Sequence, residues 1–229
     1  MNEEQYDPFG SDERRFVATD LDFAESDSYR LVRIGIYLMF VAYILLFVLI
    51  AVPFLIQTEL LGPQMLPLLV LYLPAVLATS GVLAIGALFL LGTPKANERE
   101  KIKKFLMCYV IVFAIFAISK FVDLGNLARP IRNIASAYGT FYLIAFFQVL
   151  AENRGSFKLR RIVAILNRSF VILIVGTIAC VILTAVLKLP GWISITFVLF
   201  VGLGFYINWM RTLWTAMAVT QHDHQNEFA

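Results

Sequence analysis

Long runs without a charged residue follow one another along this chain of 229 residues. They cover residues 34–58, 60–94, 105–119, 133–151, 169–187 and 189–210. A helix needs about 20 apolar residues to cross the hydrocarbon core of a bilayer, and roughly 18 without charge already mark a candidate. The run 105–119 is shorter, but Lys104 and Lys120 flank it and can extend their aliphatic stems toward the two headgroup layers. The pattern therefore predicts about six transmembrane helices.

The runs are continuously apolar, as in residues 43–50, and lack the alternation with a period of two that barrel strands require. Only helices and closed barrels satisfy every backbone polar group inside lipid. The predicted fold class is therefore all-α: a polytopic integral membrane protein whose transmembrane helices form a bundle arranged as three hairpins. Gly62-Pro63 and Pro190-Gly191 supply the helix-breaking turns of the first and third hairpins. The predicted spans lie near residues 34–56, 67–91, 105–122, 134–151, 162–187 and 192–214.

The overall composition agrees with a protein whose main solvent is lipid. The chain is 60% hydrophobic and 15% charged, with a mean hydropathy of +0.79, whereas soluble proteins average about 45–50% apolar and about 25% charged residues. Acidic residues concentrate at the start, so residues 1–30 are predicted to be a disordered acidic leader. Residues 31–219 form the predicted six-helix transmembrane domain, and residues 220–229 form a polar tail.

Lysine and arginine set the predicted orientation, because short cytoplasmic loops are enriched in both. One set of span ends carries most of these cations, and we call it the basic end of the bundle. Its members are Arg30, Arg33, Lys95, Arg99, Lys101, Lys103, Lys104, Arg154, Lys158, Arg160 and Arg161. The opposite ends carry only Lys120, Arg129, Arg132 and Lys188. Both termini are therefore predicted to be cytoplasmic. Short tails without a soluble domain are typical of small bacterial multi-pass proteins, so we expect the bacterial cytoplasmic (inner) membrane.

Polar side chains inside predicted spans are rare and costly, so they are the first candidates for a functional site. Six of them fall toward the basic end and form a candidate inner-leaflet polar cluster: Gln148, Glu152, Asn167, Arg168, Asn208 and Arg211. One interpretation is a polar vestibule that binds a solute or a lipid headgroup. The other, which we favour, is that these side chains anchor the spans at the interface and hydrogen-bond between helices. Glu152 with Arg211 or Arg168 is the ion pair to test.

No motif in the sequence points to catalysis or to a cofactor. Zinc-protease, nucleophile-elbow and phosphate-loop patterns are absent. The two histidines, His222 and His224, lie in the polar tail, which excludes a haem held by two histidines within the spans. We therefore predict no catalytic, metal-binding or cofactor-binding residues and no cofactor.

Three functions compete on this basis, and a non-enzymatic membrane component, such as a subunit, scaffold or assembly factor, is the preferred one. The alternative is a small-solute or ion transporter or channel, for which Pro74, Thr79 and Ser80 are the best features near the middle of a span. A lipid-headgroup-modifying enzyme is less favoured, because no nucleophile and base occur at a recognisable spacing. The predicted partners are the bilayer, anionic lipid headgroups at the basic inner loops, and a membrane protein or a second copy of the chain. Nucleic acid is not predicted.

Overall fold

The structure, a computed structural model, describes residues 29–49, 68–119, 128–188 and 191–221. These residues form helices joined by short turns, and no strand occurs among them. The helices are α1 (Tyr29–Leu49), α2 (Leu68–Leu90), α3 (Ala96–Ile118), α4 (Ala128–Asn153), α5 (Phe157–Leu187) and α6 (Gly191–Val219). The predicted all-α membrane bundle is confirmed.

Four of the described helices are long and apolar enough to cross a bilayer: α1, α4, the part Phe157–Thr184 of α5 and the part Thr196–Val219 of α6. The apolar part of α2, Pro74–Leu90, is shorter, and α3 opens with a charged segment. The count of six spans stays a prediction. The acidic leader, the Gly62-Pro63 and Pro190 turn positions, and the tail with His222 and His224 lie outside the described residues.

The cationic connectors of the basic end are largely helical instead of forming loops. α3 begins at Ala96, well before the predicted span at 105–122, because the intervening Glu, Lys and Arg residues are good helix formers. α5 begins at Phe157, where the Ser156 side chain accepts a hydrogen bond from the Leu159 backbone N–H at 3.3 Å. Gly155, with a φ of +60°, reverses the chain between α4 and α5. The turns are therefore short, and they hold the helix ends at this face close together.

Helices that are neighbours in sequence pack against each other in antiparallel fashion. α1 and α2 approach most closely at two glycines: a Cβ atom on Gly35 would lie 2.6 Å from the Gly86 carbonyl oxygen. In the pair α3 and α4, a Cβ atom on Gly139 would lie 3.3 Å from the Cys108 Cβ. These contacts are the close backbone approaches that small residues allow between membrane helices.

The core lies toward the basic end and joins the hairpins. Buried side chains come from the first part of α1 and α5, the last part of α2, α4 and α6, and the start of α3. Trp209 of α6 is 3% exposed, and its ring contacts Tyr43 of α1 at a centroid distance of 5.4 Å and Phe147 of α4 at 6.1 Å. The other end of the bundle is more open. Any group that the fold fixes precisely therefore lies near the basic end.

Candidate functional site: a buried carboxylate at the basic end

The turn between α2 and α3 positions a glutamate inside the protein. The backbone of Leu91, Gly92 and Thr93 continues with 3.0–3.2 Å hydrogen bonds to the last carbonyls of α2, and Pro94 then separates the turn from α3. Glu98 follows in the first turn of α3. Both Thr93 and Glu98 are 0% exposed. A fully buried carboxylate is costly unless it is hydrogen-bonded, so its partners identify what the fold does with it.

Three side chains from different parts of the chain donate hydrogen bonds to the Glu98 carboxylate. The Tyr29 hydroxyl of α1 lies 3.2 Å from Oε1 and 3.4 Å from Oε2. The Asn153 amide at the end of α4 donates to Oε1 at 2.6 Å, and the Thr93 hydroxyl donates to Oε2. Hydrogen bonds to an ionised acceptor are roughly twice as strong as neutral ones. We call Tyr29, Thr93, Glu98 and Asn153 the Glu98 cluster.

A second layer of polar contacts supports the Glu98 cluster. The Asn97 side chain accepts from the Glu98 backbone N–H at 2.9 Å, and the Arg99 guanidinium donates to the Thr93 carbonyl at 2.9 Å. The Arg154 guanidinium lies 3.5 Å from the centre of the Tyr29 ring, in cation–π geometry. The Tyr29 side chain therefore stands between a cation on its ring and an anion at its hydroxyl. This arrangement connects the start of α1, the α2–α3 turn and the α4–α5 turn.

Chemically, the Glu98 cluster is a brace. Its carboxylate is enclosed by protein donors, and the Thr93 hydroxyl that donates to it is, like Glu98 itself, 0% exposed. Glu100, two residues further along α3, shows the contrast: it is exposed and accepts a hydrogen bond from Lys104 at 2.5 Å. That bond and the charge of Lys104 lower the pKa of Glu100. Exposed pairs of this kind contribute little to stability.

The structure distributes the six side chains of the candidate inner-leaflet polar cluster over separate places. Gln148 donates to Glu152 at 3.3 Å along the exposed face of α4. Asn208 of α6 donates to the Ser169 hydroxyl of α5 at 3.0 Å, which is an interhelical bond of the predicted kind. Arg168 is exposed on α5 beside a half-buried Asn167. A role for these residues as one site stays a prediction.

The expected ion pair of Glu152 with Arg211 or Arg168 is not formed in the described part of the chain, where the salt bridge joins Glu100 to Lys104. Glu152 bonds within its own helix, to Gln148. Arg211 instead lines a groove with Lys158. The shared depth of these residues therefore does not translate into contact, because they lie on different faces of the bundle.

The midspan features of α2 are engaged by the protein itself. The Thr79 hydroxyl donates to the Ala75 carbonyl at 2.8 Å, within the same helix. The Ser80 carbonyl accepts from the Tyr109 hydroxyl of α3 at 2.7 Å. Pro74 lies inside α2, one turn before Thr79. These groups tie α2 to α3 and to itself.

Composition offers no reason to select Glu98, because it stands among cations in a predicted connector. Its spacing carries a usable signal: Glu98, Ile102 and Phe105 lie four and three residues apart and are the buried residues of α3. This is the spacing of one helix face.

No three His, Cys, Asp or Glu side chains converge as metal ligands within the described ranges. Comparisons with protein-family models, with curated proteins and with solved structures found no match to this chain.

Proposed function

We propose that this chain is a non-enzymatic membrane component, as a subunit, scaffold or assembly factor, that binds another membrane protein through the exposed face of α5. One observation carries this proposal. In an apolar 18-residue stretch of α5, 11% of the residues are buried by the rest of the chain, compared with 17% for α6 and 44% for α4. α5 is also the longest helix of the described residues, with 31 residues. One side of this long, apolar helix is therefore exposed and available for contact within the bilayer.

The exposed side chains of α5 are suited to packing against another helix. Most of them are β-branched: Val171, Ile172, Ile174, Val175, Ile178, Val181, Ile182 and Val186. In a helix, valine and isoleucine are held mainly in one χ1 rotamer. Association therefore costs them little side-chain entropy. Because apolar surface gains no hydrophobic energy by leaving lipid, packing quality and this low entropic cost are what favour association in the membrane.

The polar groups support the same proposal over transport. Glu98 is enclosed by its three donors, and the Thr79 hydroxyl and Ser80 carbonyl are hydrogen-bonded within the protein. These contacts engage each of these groups within the bundle, which favours a structural role for them over solute binding.

Substitution on the proposed binding face tests the proposal. Val175→Phe with Ile178→Phe places two bulky rings on α5, whereas Leu199→Phe makes a similar change on the exposed surface of α6. The chain is isolated in mild detergent after photo-crosslinking from a diazirine residue at Val171. We expect one discrete protein adduct, which the α5 changes abolish and the α6 change retains.

The mass of the adduct identifies the partner. An adduct of twice the chain's mass would make a second copy the partner, and a heavier or lighter one would indicate another membrane protein. Crosslinks to lipid alone, with an unchanged pattern in all variants, would refute the proposal.

A further inference from the structure

A groove opens at the basic end between α1, α5 and α6. Its volume is about 410 Å³. None of the side chains of the Glu98 cluster lines it. The groove therefore needs an explanation separate from the brace.

Two cations from different helices line the groove. Lys158 is the second residue of α5, and Arg211 lies eight residues before the end of α6, at Val219. At a rise of about 1.5 Å per residue, Arg211 is about 12 Å along the helix from that end. Both side chains are exposed, and no carboxylate is among the lining residues. Two positive charges without a counter-charge favour an anion at this place.

Apart from Thr215, the remainder of the groove is apolar and aromatic. Ile162 and Met210 continue it along α5 and α6, and Phe40 of α1 faces Trp214 of α6 with their ring centres 6.0 Å apart. Trp214 is 65% exposed although it is a large aromatic residue. Tryptophan is enriched at the headgroup level of membranes, where one end of the ring meets lipid and the other meets water. The groove thus combines a cationic rim with an apolar floor.

We infer that this groove is a binding site for one anionic phospholipid of the leaflet at the basic end. Lys158 and Arg211 contact the headgroup phosphate, and the first part of an acyl chain lies along Phe40 and Trp214. A free phosphate ion would use the two cations but leave the aromatic floor unfilled. A zwitterionic lipid would bring its own cation into a site that already holds two. The combination of charge and apolar lining therefore selects an anionic lipid.

Brominated lipids provide the test, because bromine quenches tryptophan fluorescence only at short range. The full chain is reconstituted in vesicles of phosphatidylcholine that contain increasing fractions of dibrominated phosphatidylglycerol or dibrominated phosphatidylcholine. A Trp214→Phe variant identifies the part of the signal that comes from the groove. We expect quenching at Trp214 to saturate at a lower fraction of phosphatidylglycerol than of phosphatidylcholine.

Charge variants decide whether the groove causes this preference. A cation close to an anionic lipid surface increases affinity by a factor of about five, so Lys158→Gln with Arg211→Gln should reduce the preference by roughly thirtyfold or abolish it. Arg160→Gln with Arg168→Gln removes two exposed cations of α5 that do not line the groove. This control should leave the preference for phosphatidylglycerol unchanged. The two single variants, Lys158→Gln and Arg211→Gln, give intermediate losses and serve as the test if the double variant does not reconstitute.

Three results would overturn the inference. The preference could persist in the double variant, or both pairs of substitutions could reduce it equally, which would indicate general surface charge. Displacement of the brominated lipid by inorganic phosphate at matched ionic strength would identify a free anion as the ligand instead.

Discussion

Removal of one hydroxyl group tests whether the Glu98 cluster braces the basic end. Tyr29→Phe retains the ring that lies 3.5 Å from the Arg154 guanidinium and removes the donor that reaches Glu98 at 3.2 Å. A hydrogen bond to a charged group contributes about 1.5–3 kcal/mol. We therefore expect Tyr29→Phe to lower the free energy of unfolding by about 2 kcal/mol. Asn153→Ala removes the 2.6 Å hydrogen bond from the amide to Glu98 and should cost about 3 kcal/mol.

Replacement of the acceptor itself should cost more. Glu98→Gln removes the charge and turns an N–H₂ group toward side chains that are already donors, so we expect a loss of about 3–5 kcal/mol. In the Glu98→Gln background, Tyr29→Phe has no charged acceptor left to lose. The two changes should therefore be less than additive, by about 1 kcal/mol or more.

Unfolding by titration of sodium dodecyl sulfate into mild-detergent micelles measures these free energies, with the buried Trp209 as a fluorescent reporter. Glu100→Gln is the matched control, because Glu100 lies two residues further along the same helix and is exposed. It should leave the free energy of unfolding unchanged within the error of the measurement. The reasoning would be refuted if Tyr29→Phe and Asn153→Ala behaved like this control, or if Tyr29→Phe cost the same with and without Glu98→Gln.

Four further predictions each concern a single residue. Gly35→Ala should cost about 1–3 kcal/mol by detergent unfolding, because its Cβ would lie 2.6 Å from a carbonyl oxygen, whereas Gly81→Ala in open space should be neutral or stabilising by up to about 1 kcal/mol; equal effects would contradict the close approach. Gly155→Ala should cost about 1–2 kcal/mol from its φ of +60° alone, and an unchanged thermal midpoint would argue against that backbone conformation. Asn208→Leu should cost only about 0.6 kcal/mol, as is usual for interhelical hydrogen bonds in membranes, and a loss several times larger would indicate a further partner. Lys101→Cys, in a variant from which Cys108 and Cys180 have been removed, should react with an impermeant maleimide only after the membrane is opened. Labelling in intact cells would contradict the predicted orientation.

The helical fold could be predicted from the sequence because the bilayer imposes it locally. Each uncharged run must satisfy its own backbone, so the class follows without any knowledge of tertiary contacts. The ends of the helices could not be predicted in this way. The segment 96–104 is charged and therefore lies outside the predicted span, yet its residues favour helix and simply extend α3 before its apolar part. Hydropathy locates the apolar part of a helix but does not predict how far the helix continues beyond it.

The candidate site shows a different limit, because depth alone was used to group polar residues. Gln148, Glu152, Asn208 and Arg211 have similar predicted depths, but depth does not say which way a side chain points. The spacing of buried residues does indicate this direction. In α1, Tyr29, Val32, Ile36 and Met39 follow one another at spacings of three, four and three. This is one face of a helix, and Tyr29 is its continuation beyond the first predicted span.

The same extension identifies the other two members of the Glu98 cluster that lie on helices. In α4 the buried face runs through Leu143, Phe146 and Leu150, and the next position on it is Asn153, whereas Glu152 falls beside it. In α3 the face that contains Ile102 continues back to Glu98, whereas Glu100 falls on the exposed side. A polar residue that continues an apolar face past the end of a span is therefore the one that the fold encloses. It is buried there with other polar side chains, and these side chains hydrogen-bond to one another. Three helices close on Glu98 in this way, which is why one carboxylate lies buried while its neighbour, two residues along the chain, meets solvent.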